Sequence, residues 1–373
     1  MQYLRFEQFA ISTDHSWHLS GSQAVDWTFY GRGEIVGDAD SLSGNLRTSG
    51  ATVVFDQASD ARESGVLRGD GDLRKCGLGR LELNPLTRFD GDTFVEAGTL
   101  VARPGTFRGR IDIADGASAV FDTHEDTLLH SALSGDGAVI KTGTGTLTIN
   151  QASSLSGEFT VREGRVNLFA GLPARVRIDS RAQLSGATHI AALDNAGQLA
   201  PANGIGRLQI DGDAHLRADS RLQIETAPDG RSDQLVVWGR LTLEDATLDV
   251  QPTGGGYGIT SRYTIISAAQ GVSGEFSSLQ SDYPLLEPRL EYTQRAVELV
   301  LENRYTPFAE FATSGNQLAV AAAIDATARD AADDYAVITN AMVRSHGEQL
   351  ADMLGMSGGR RARCQPAGVA GNE

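Results

Sequence analysis

Val66-Leu67-Arg68-Gly69-Asp70-Gly71 and Ala132-Leu133-Ser134-Gly135-Asp136-Gly137 are one hexapeptide in outline, written twice at a shift of 66 positions. The match runs without a gap from 66–102 to 132–168. Lys75, Gly77, Gly79, Leu81 and Asn84 meet Lys141, Gly143, Gly145, Leu147 and Asn150, and then Gly91, Val95 and Gly98 meet Gly157, Val161 and Gly164. A partial third copy lies upstream, where Ser41-Leu42-Ser43-Gly44 parallels Ser154-Leu155-Ser156-Gly157. Such self-similarity marks a repeat architecture, in which each unit buries its apolar face only against its neighbours. With a coil of about 22 residues, the shift would correspond to three whole coils.

Inside the unit the segments are short and alternate. In Gly145-Thr146-Leu147-Thr148-Ile149-Asn150 and Gly157-Glu158-Phe159-Thr160-Val161-Arg162, the spacing points Leu147, Ile149, Phe159 and Val161 inward and their neighbours outward. No such strand buries enough by itself, so coil must stack on coil at about 4.8 Å. An antiparallel sandwich would need two-residue hairpin signals such as Asn-Gly, which are scarce. The reading is therefore an all-β solenoid. Glycine, at 43 of 373 residues, supplies its turns, and the repeat glycines Gly69, Gly71, Gly77, Gly79, Gly135, Gly137, Gly143 and Gly145 are expected at turns that need φ > 0.

Composition narrows the function classes. A net charge of -16 works against a nucleic-acid backbone as partner. Aromatic residues make up 6% of the chain, so aliphatic side chains must fill a narrow interior. The two cysteines, Cys76 and Cys364, frame neither a disulfide scaffold nor a zinc site. The longest apolar run, Leu318 to Ile324, is too short to cross a bilayer as a helix.

The repeated unit, Leu-x-Gly-x-Gly-x-x-x-Lys-x-Gly-x-Gly-x-Leu continuing into Gly-x-x-x-Val-x-x-Gly, resembles the passenger-associated repeat of bacterial autotransporters, the type V secretion proteins. The resemblance continues down the chain. Residues 206–305, with Ser232-Asp233-Gln234-Leu235-Val236-Val237-Trp238-Gly239, Tyr263-Thr264-Ile265-Ile266 and Gly274-Glu275-Phe276, resemble a passenger's autochaperone region. Its core is expected to use Leu235, Val237, Trp238, Gly239, Tyr263 and Phe276. Residues 313–321 resemble the start of the linker helix that precedes the translocator barrel.

The resemblance implies a right-handed parallel β-helix with a short C-terminal α-helical linker, exported to the outer membrane, the cell surface or the medium. The implied organisation is irregular N-terminal coils over 1–40, passenger repeats over 41–205, an autochaperone-like module over 206–305, a helical linker over 306–356 and a disordered tail over 357–373. The start of the chain shows no basic segment followed by an apolar run, and too few residues follow Leu354 for a barrel. The chain therefore reads as a passenger segment lacking an export signal and a pore, or as the remnant of a truncated gene. The partners that the family implies are the outer membrane, the translocator barrel and a host cell surface.

Catalytic chemistry finds little support. No Gly-x-Ser-x-Gly string is present, and His15 with His18, the one close histidine pair, lacks neighbouring ligands, so no catalytic, cofactor-binding or metal-binding residue is expected. Carboxylates such as Asp112 and Asp115 leave a β-helical carbohydrate-active enzyme as the alternative. Arg68-Gly69-Asp70 is a candidate cell-attachment triplet, but its place in the repeat, opposite Ser134-Gly135-Asp136, where the Gly-Asp-Gly element is needed as a turn, favours the turn. Ser314 is expected to cap the linker helix, with Leu318, Ala321, Ala322 and Ile324 near one face.

Overall fold

The computed structural model describes residues 8–303, apart from residues 13, 23, 24, 187, 255, 256, 258, 259, 282, 284 and 285, together with residues 309 and 312–327. The chain winds as a parallel β-solenoid with three faces per coil. The first face carries a five-stranded sheet and the second an eight-stranded sheet, while the third is a continuous sheet that runs to the C-terminal end.

Strands of two to five residues pair in parallel with those of the next coil. On the second face the register descends from Val53 to Leu73 and Thr93 in equal steps, then by a shorter step to Ile111 and a longer one to Leu133. Every residue of this column is fully buried. The same holds for Leu147, Ile149, Phe159 and Val161, as the alternation requires. Each such side chain contributes about 1.5–3 kcal/mol by leaving water.

The repeat shift is not three whole coils. Strand Leu67–Gly69 lies in the first sheet, whereas its counterpart Leu133–Gly135 lies in the second; Leu73–Cys76 lies in the second and Ala138–Thr142 in the third. The coils are shorter than a whole-coil division of the shift requires, so the repeat covers three coils and one further face. The same peptide thus recurs one face round.

Two kinds of pressure hold the repeat glycines. Gly77 and Gly143 have φ of 72° and 78°, in the left-handed region. Gly79 and Gly145 do not; there a side chain would run into the backbone of Ser59 and Glu125 in the preceding coil. The expectation of positive φ therefore holds for only some of them, and close coil-to-coil approach fixes the others.

Residues 8–37 are not irregular. Gln8–Ser12 pairs with Asp26–Tyr30 in the same parallel register, and Trp27, Phe29 and Ile35 are buried. The Trp27 ring stacks on Phe9 and Phe29 at 5.0 and 5.6 Å. Gly21 and Gly31 turn here at φ of 77° and 102°, as glycines do in the later coils, but the stretch matches no copy of the repeat, which hid it in the sequence.

Further along, strands fuse around corners. Glu158–Leu168 pairs on one face through Val139 with Phe159, and on another through Leu147 with Val166. Coils then lengthen: Leu208 pairs with Leu235, and Leu248 with Leu279. The parallel ladder ends in an antiparallel arrangement. Ala296–Asn303 runs against both Thr260–Ala268 and Leu286–Tyr292, with Leu299 opposite Tyr263 on one side and Leu290 on the other.

Helix Gly315–Thr327 follows. The Gln317 N–H donates to Ser314 Oγ at 3.3 Å, and Gln317 Oε1 accepts from Thr313 N–H at 2.8 Å, a reciprocal cap at the expected place. Its apolar stripe is not a buried face: Ala321 is buried, while Leu318 and Ala322 are exposed. The side chain of Ile324, and residues 328–373 with Cys364 and the expected tail, lie outside the described residues.

Candidate functional surface

The most specific side chain of the repeat is its lysine. Lys75 and Lys141 are fully buried. Lys75 Nζ donates to the carbonyls of Cys76 and Gly77 at 2.8 Å and of Ala97 at 3.2 Å. Lys141 Nζ donates to the carbonyls of Gly143, Gly145 at 2.6 Å and Glu163 at 2.8 Å. Burial holds both ammonium groups below the usual lysine range. The repeat match singled these residues out, but it gave no hint that they point inward.

The triplet Arg68-Gly69-Asp70 lies at the end of a strand of the first sheet. Arg68 projects from strand Leu67–Gly69, and Asp70 Oδ1 accepts the Gly50 N–H at 2.8 Å, clasping the preceding coil. A side chain at Gly69 would run into Thr48. Similar clasps recur where Asp26 accepts from Asn45 N–H, Asp72 from Asp92 N–H, Asp92 from Arg110 N–H and Asp126 from Thr146 N–H. Asp70 thus serves in a series of inter-coil clasps.

Toward the C-terminal end of the solenoid Leu235, Val237 and Tyr263 are buried, and the Tyr263 hydroxyl donates to the Ala227 carbonyl at 2.7 Å. At Gly239 a side chain would run into the Gly212 carbonyl. Phe276 is half-buried against the core. Trp238 departs from the expectation: it is 58% exposed, because after Val237 the alternation turns it outward at the corner before Leu241–Leu243.

An open cleft of about 670 Å³ lies among the coils between residues 156 and 242, lined by Ser156, Arg175, Asp194, Asp213, His215, Arg217, Arg240 and Thr242. Its carboxylates are engaged. Arg217 grips Asp194 through two parallel bonds, one of 2.9 Å, and holds its carboxyl below the usual range. Asp213 accepts the Arg240 backbone N–H at 2.8 Å. His215 Nε2 lies 2.9 Å from Glu244 Oε2 but does not meet hydrogen-bond geometry. Ser156 Oγ is bonded to Asp136. No serine in this cleft is set on a histidine, and Asp194 is held in its ionised form.

The carboxyls that are pushed the other way lie in the core. Burial raises Glu63 to about 8 and Asp233 to about 6. Glu63 Oε1 accepts the Gly65 N–H, and Asp233 accepts the N–H groups of Gly206 and Glu225. Both act as clamps on turns. Among the described residues no group of three or more His, Cys, Asp or Glu could hold a metal ion, and His15 and His18 are exposed. No described helix is long and apolar enough to cross a membrane.

Residues 73–102 and 139–168 match the family model described as passenger-associated-transport-repeat. Two relatives named extracellular serine protease, from Serratia marcescens, are 29% identical over 52% of this chain and 26% identical over 62%. A relative named adhesin BmaC autotransporter, from Brucella suis biovar 1 (strain 1330), is 35% identical over 30% of the chain. The chain spans 19% and 22% of the Serratia relatives and 3% of the Brucella one. The duplicated unit of this solenoid is thus the autotransporter passenger repeat.

Proposed function

We propose that this chain, built on autotransporter passenger repeats, is the non-enzymatic β-helical stalk of an outer-membrane autotransporter, presenting its outer faces at the cell surface for adhesion or autoaggregation. The supporting observation is the state of its acids. The cleft carboxylates are tied to arginine or to backbone N–H groups, and the two carboxyls raised toward neutrality are buried turn clamps. A glycosidase or lyase would need an accessible acid–base pair. The Brucella relative's name supports an adhesive role.

On this reading residues 206–305 form a stabilising module whose antiparallel strands cover the end of the parallel ladder, and the translocator barrel and a host surface are the partners. The test is display of the chain through an outer-membrane anchor on a non-adherent bacterium. Attachment to host cells or autoaggregation is expected, with attachment surviving Asp70→Ala. Purified protein should release neither reducing nor unsaturated ends from acidic polysaccharides, and should not cleave casein. Turnover in either assay would overturn the reading in favour of an enzyme.

A further inference from the structure

Outside the first face, charged residues in register on successive parallel strands are of opposite sign among the described residues, whereas the antiparallel end sets Glu287 opposite Glu302 and Glu291 opposite Glu298. Arg62 faces Glu82, Glu158 faces Arg175, Glu163 faces Arg181 and Arg177 faces Asp194. The first face breaks this rule among the described residues. There Arg47 stands in register with Arg68, and Arg68 with Arg88, in one column up the sheet. All three are exposed, and none has a carboxylate partner among the described residues.

We infer that this column is a binding track for a linear acidic polysaccharide, with Arg47, Arg68 and Arg88 as its row of cations. Like charges directly opposite on a sheet repel and are destabilising. A chain of net charge -16 has ample acid with which to alternate the column, as it does on the other faces. The acids beside the row are already engaged: Asp70 Oδ1 on the Gly50 N–H, and Asp90 with Arg108 at 3.5 Å. Arg88 keeps one donor on the Gly105 carbonyl at 3.4 Å, and its other donors have no partner among the described residues.

Geometry selects the ligand. The guanidinium row climbs at the coil rise of about 4.8 Å, a single straight line of bidentate donors for carboxylate or sulfate groups. A flexible glycan with one charge per sugar or per disaccharide can follow such a line. A nucleic-acid duplex carries far denser charge and would meet the repulsion of the acidic chain around the track. Beside Arg47, Tyr30 stands outward opposite Ser49 and is 49% exposed, offering a ring on which a sugar can stack.

The inference rests on the surface-presentation reading and supplies its ligand class. The test is binding of the purified chain to immobilised heparin and polygalacturonate, which separate sulfate from carboxylate, with dextran as the neutral control and single-stranded oligo-dT as the nucleic-acid control. Binding to at least one polyanion, weakening with salt, is expected. The variant Arg47→Gln/Arg68→Gln/Arg88→Gln should lose about tenfold or more in affinity while keeping its circular dichroism and melt. The variant Arg62→Gln/Arg74→Gln/Arg110→Gln removes the same charge from arginines that have carboxylate partners and should bind within about twofold of the parent.

Equal loss in both variants, equal binding of oligo-dT, or binding of neither polyanion overturns the track. If no polyanion binds yet displayed cells adhere, the track fails and the adhesive reading stands. If the polyanion binds the track but displayed cells do not adhere, the adhesive reading fails and the track stands.

Discussion

Lys141 repeats two of the three hydrogen bonds of Lys75 on a different face of the solenoid. Lys75 Nζ reaches the carbonyls of Gly77 and Ala97; Lys141 Nζ reaches those of Gly143 and Glu163, the positions displaced by the same repeat. The reason is local. A left-handed glycine turns neighbouring carbonyls into the corner, where backbone N–H groups are few, and an ammonium supplies three donors with no acceptor to satisfy.

Lys141→Met fills the corner but takes the ammonium from the carbonyls of Gly143, Gly145 and Glu163, of which Gly145 keeps the Arg165 N–H at 3.4 Å. It should destabilise the protein by about 3 kcal/mol or more, read as a lower urea midpoint. A midpoint within error of the parent would show that water replaces the ammonium.

Glu63 makes stability fall with rising pH. Its folded pKa, pushed to about 8 by burial, lies above the ordinary value of 4.5, so the folded state binds the proton more tightly. The contribution is fully present below about pH 4.5 and is lost as pH rises to about 8. Glu63→Gln keeps an acceptor for the Gly65 N–H and should flatten this slope, gaining up to about 4 kcal/mol at pH 8 and nothing at pH 4. Melts of both proteins across that range provide the check.

Phe159 and Trp238 should respond in opposite ways to truncation. Phe159 is fully buried, so Phe159→Ala should cost about 3–5 kcal/mol. Trp238→Ala removes a mostly exposed ring and should shift stability by no more than about 0.5 kcal/mol. Chemical denaturation of the two variants side by side tests the assignment.

Strand Ala296–Asn303 lies between Thr260–Ala268 and Leu286–Tyr292. Truncation before Leu286 would leave Thr260–Ala268 as an open edge with Tyr263 uncovered. Lower cooperativity on unfolding and concentration-dependent aggregation, measured by light scattering, are the expected outcome.

Much of this architecture was legible because a solenoid writes its geometry into a repeat. The alternation at Leu147, Ile149, Phe159 and Val161 sufficed to point those side chains inward, and the glycine positions sufficed to mark the corners. What could not be read was the length of the coil, since the repeat shift divides as well into whole coils of one length as into shorter coils with a remainder. The register of one coil on the next is set by packing, so the Arg47, Arg68 and Arg88 column is invisible in sequence: its members stand at unequal spacings and share no motif. The triplet Arg68-Gly69-Asp70 suggested a site, yet the structure assigns Asp70 to a clasp and places Arg68 in a column. The parallel strands within residues 8–37 were missed because that stretch matches no copy of the repeat, although Gly21 and Gly31 turn there as later glycines do.

That the duplicated segment comes to rest one face round has a consequence for how such proteins grow. A gene duplication in this fold need not preserve whole turns. Because each side of the prism accepts the same peptide, copied DNA can be inserted in increments of a third of a turn and still find partners above and below. Length can therefore drift by unequal recombination without loss of folding, while every insertion that is not a whole turn rotates the downstream surface. The lineage can change which side chains share an outer face without changing any of them.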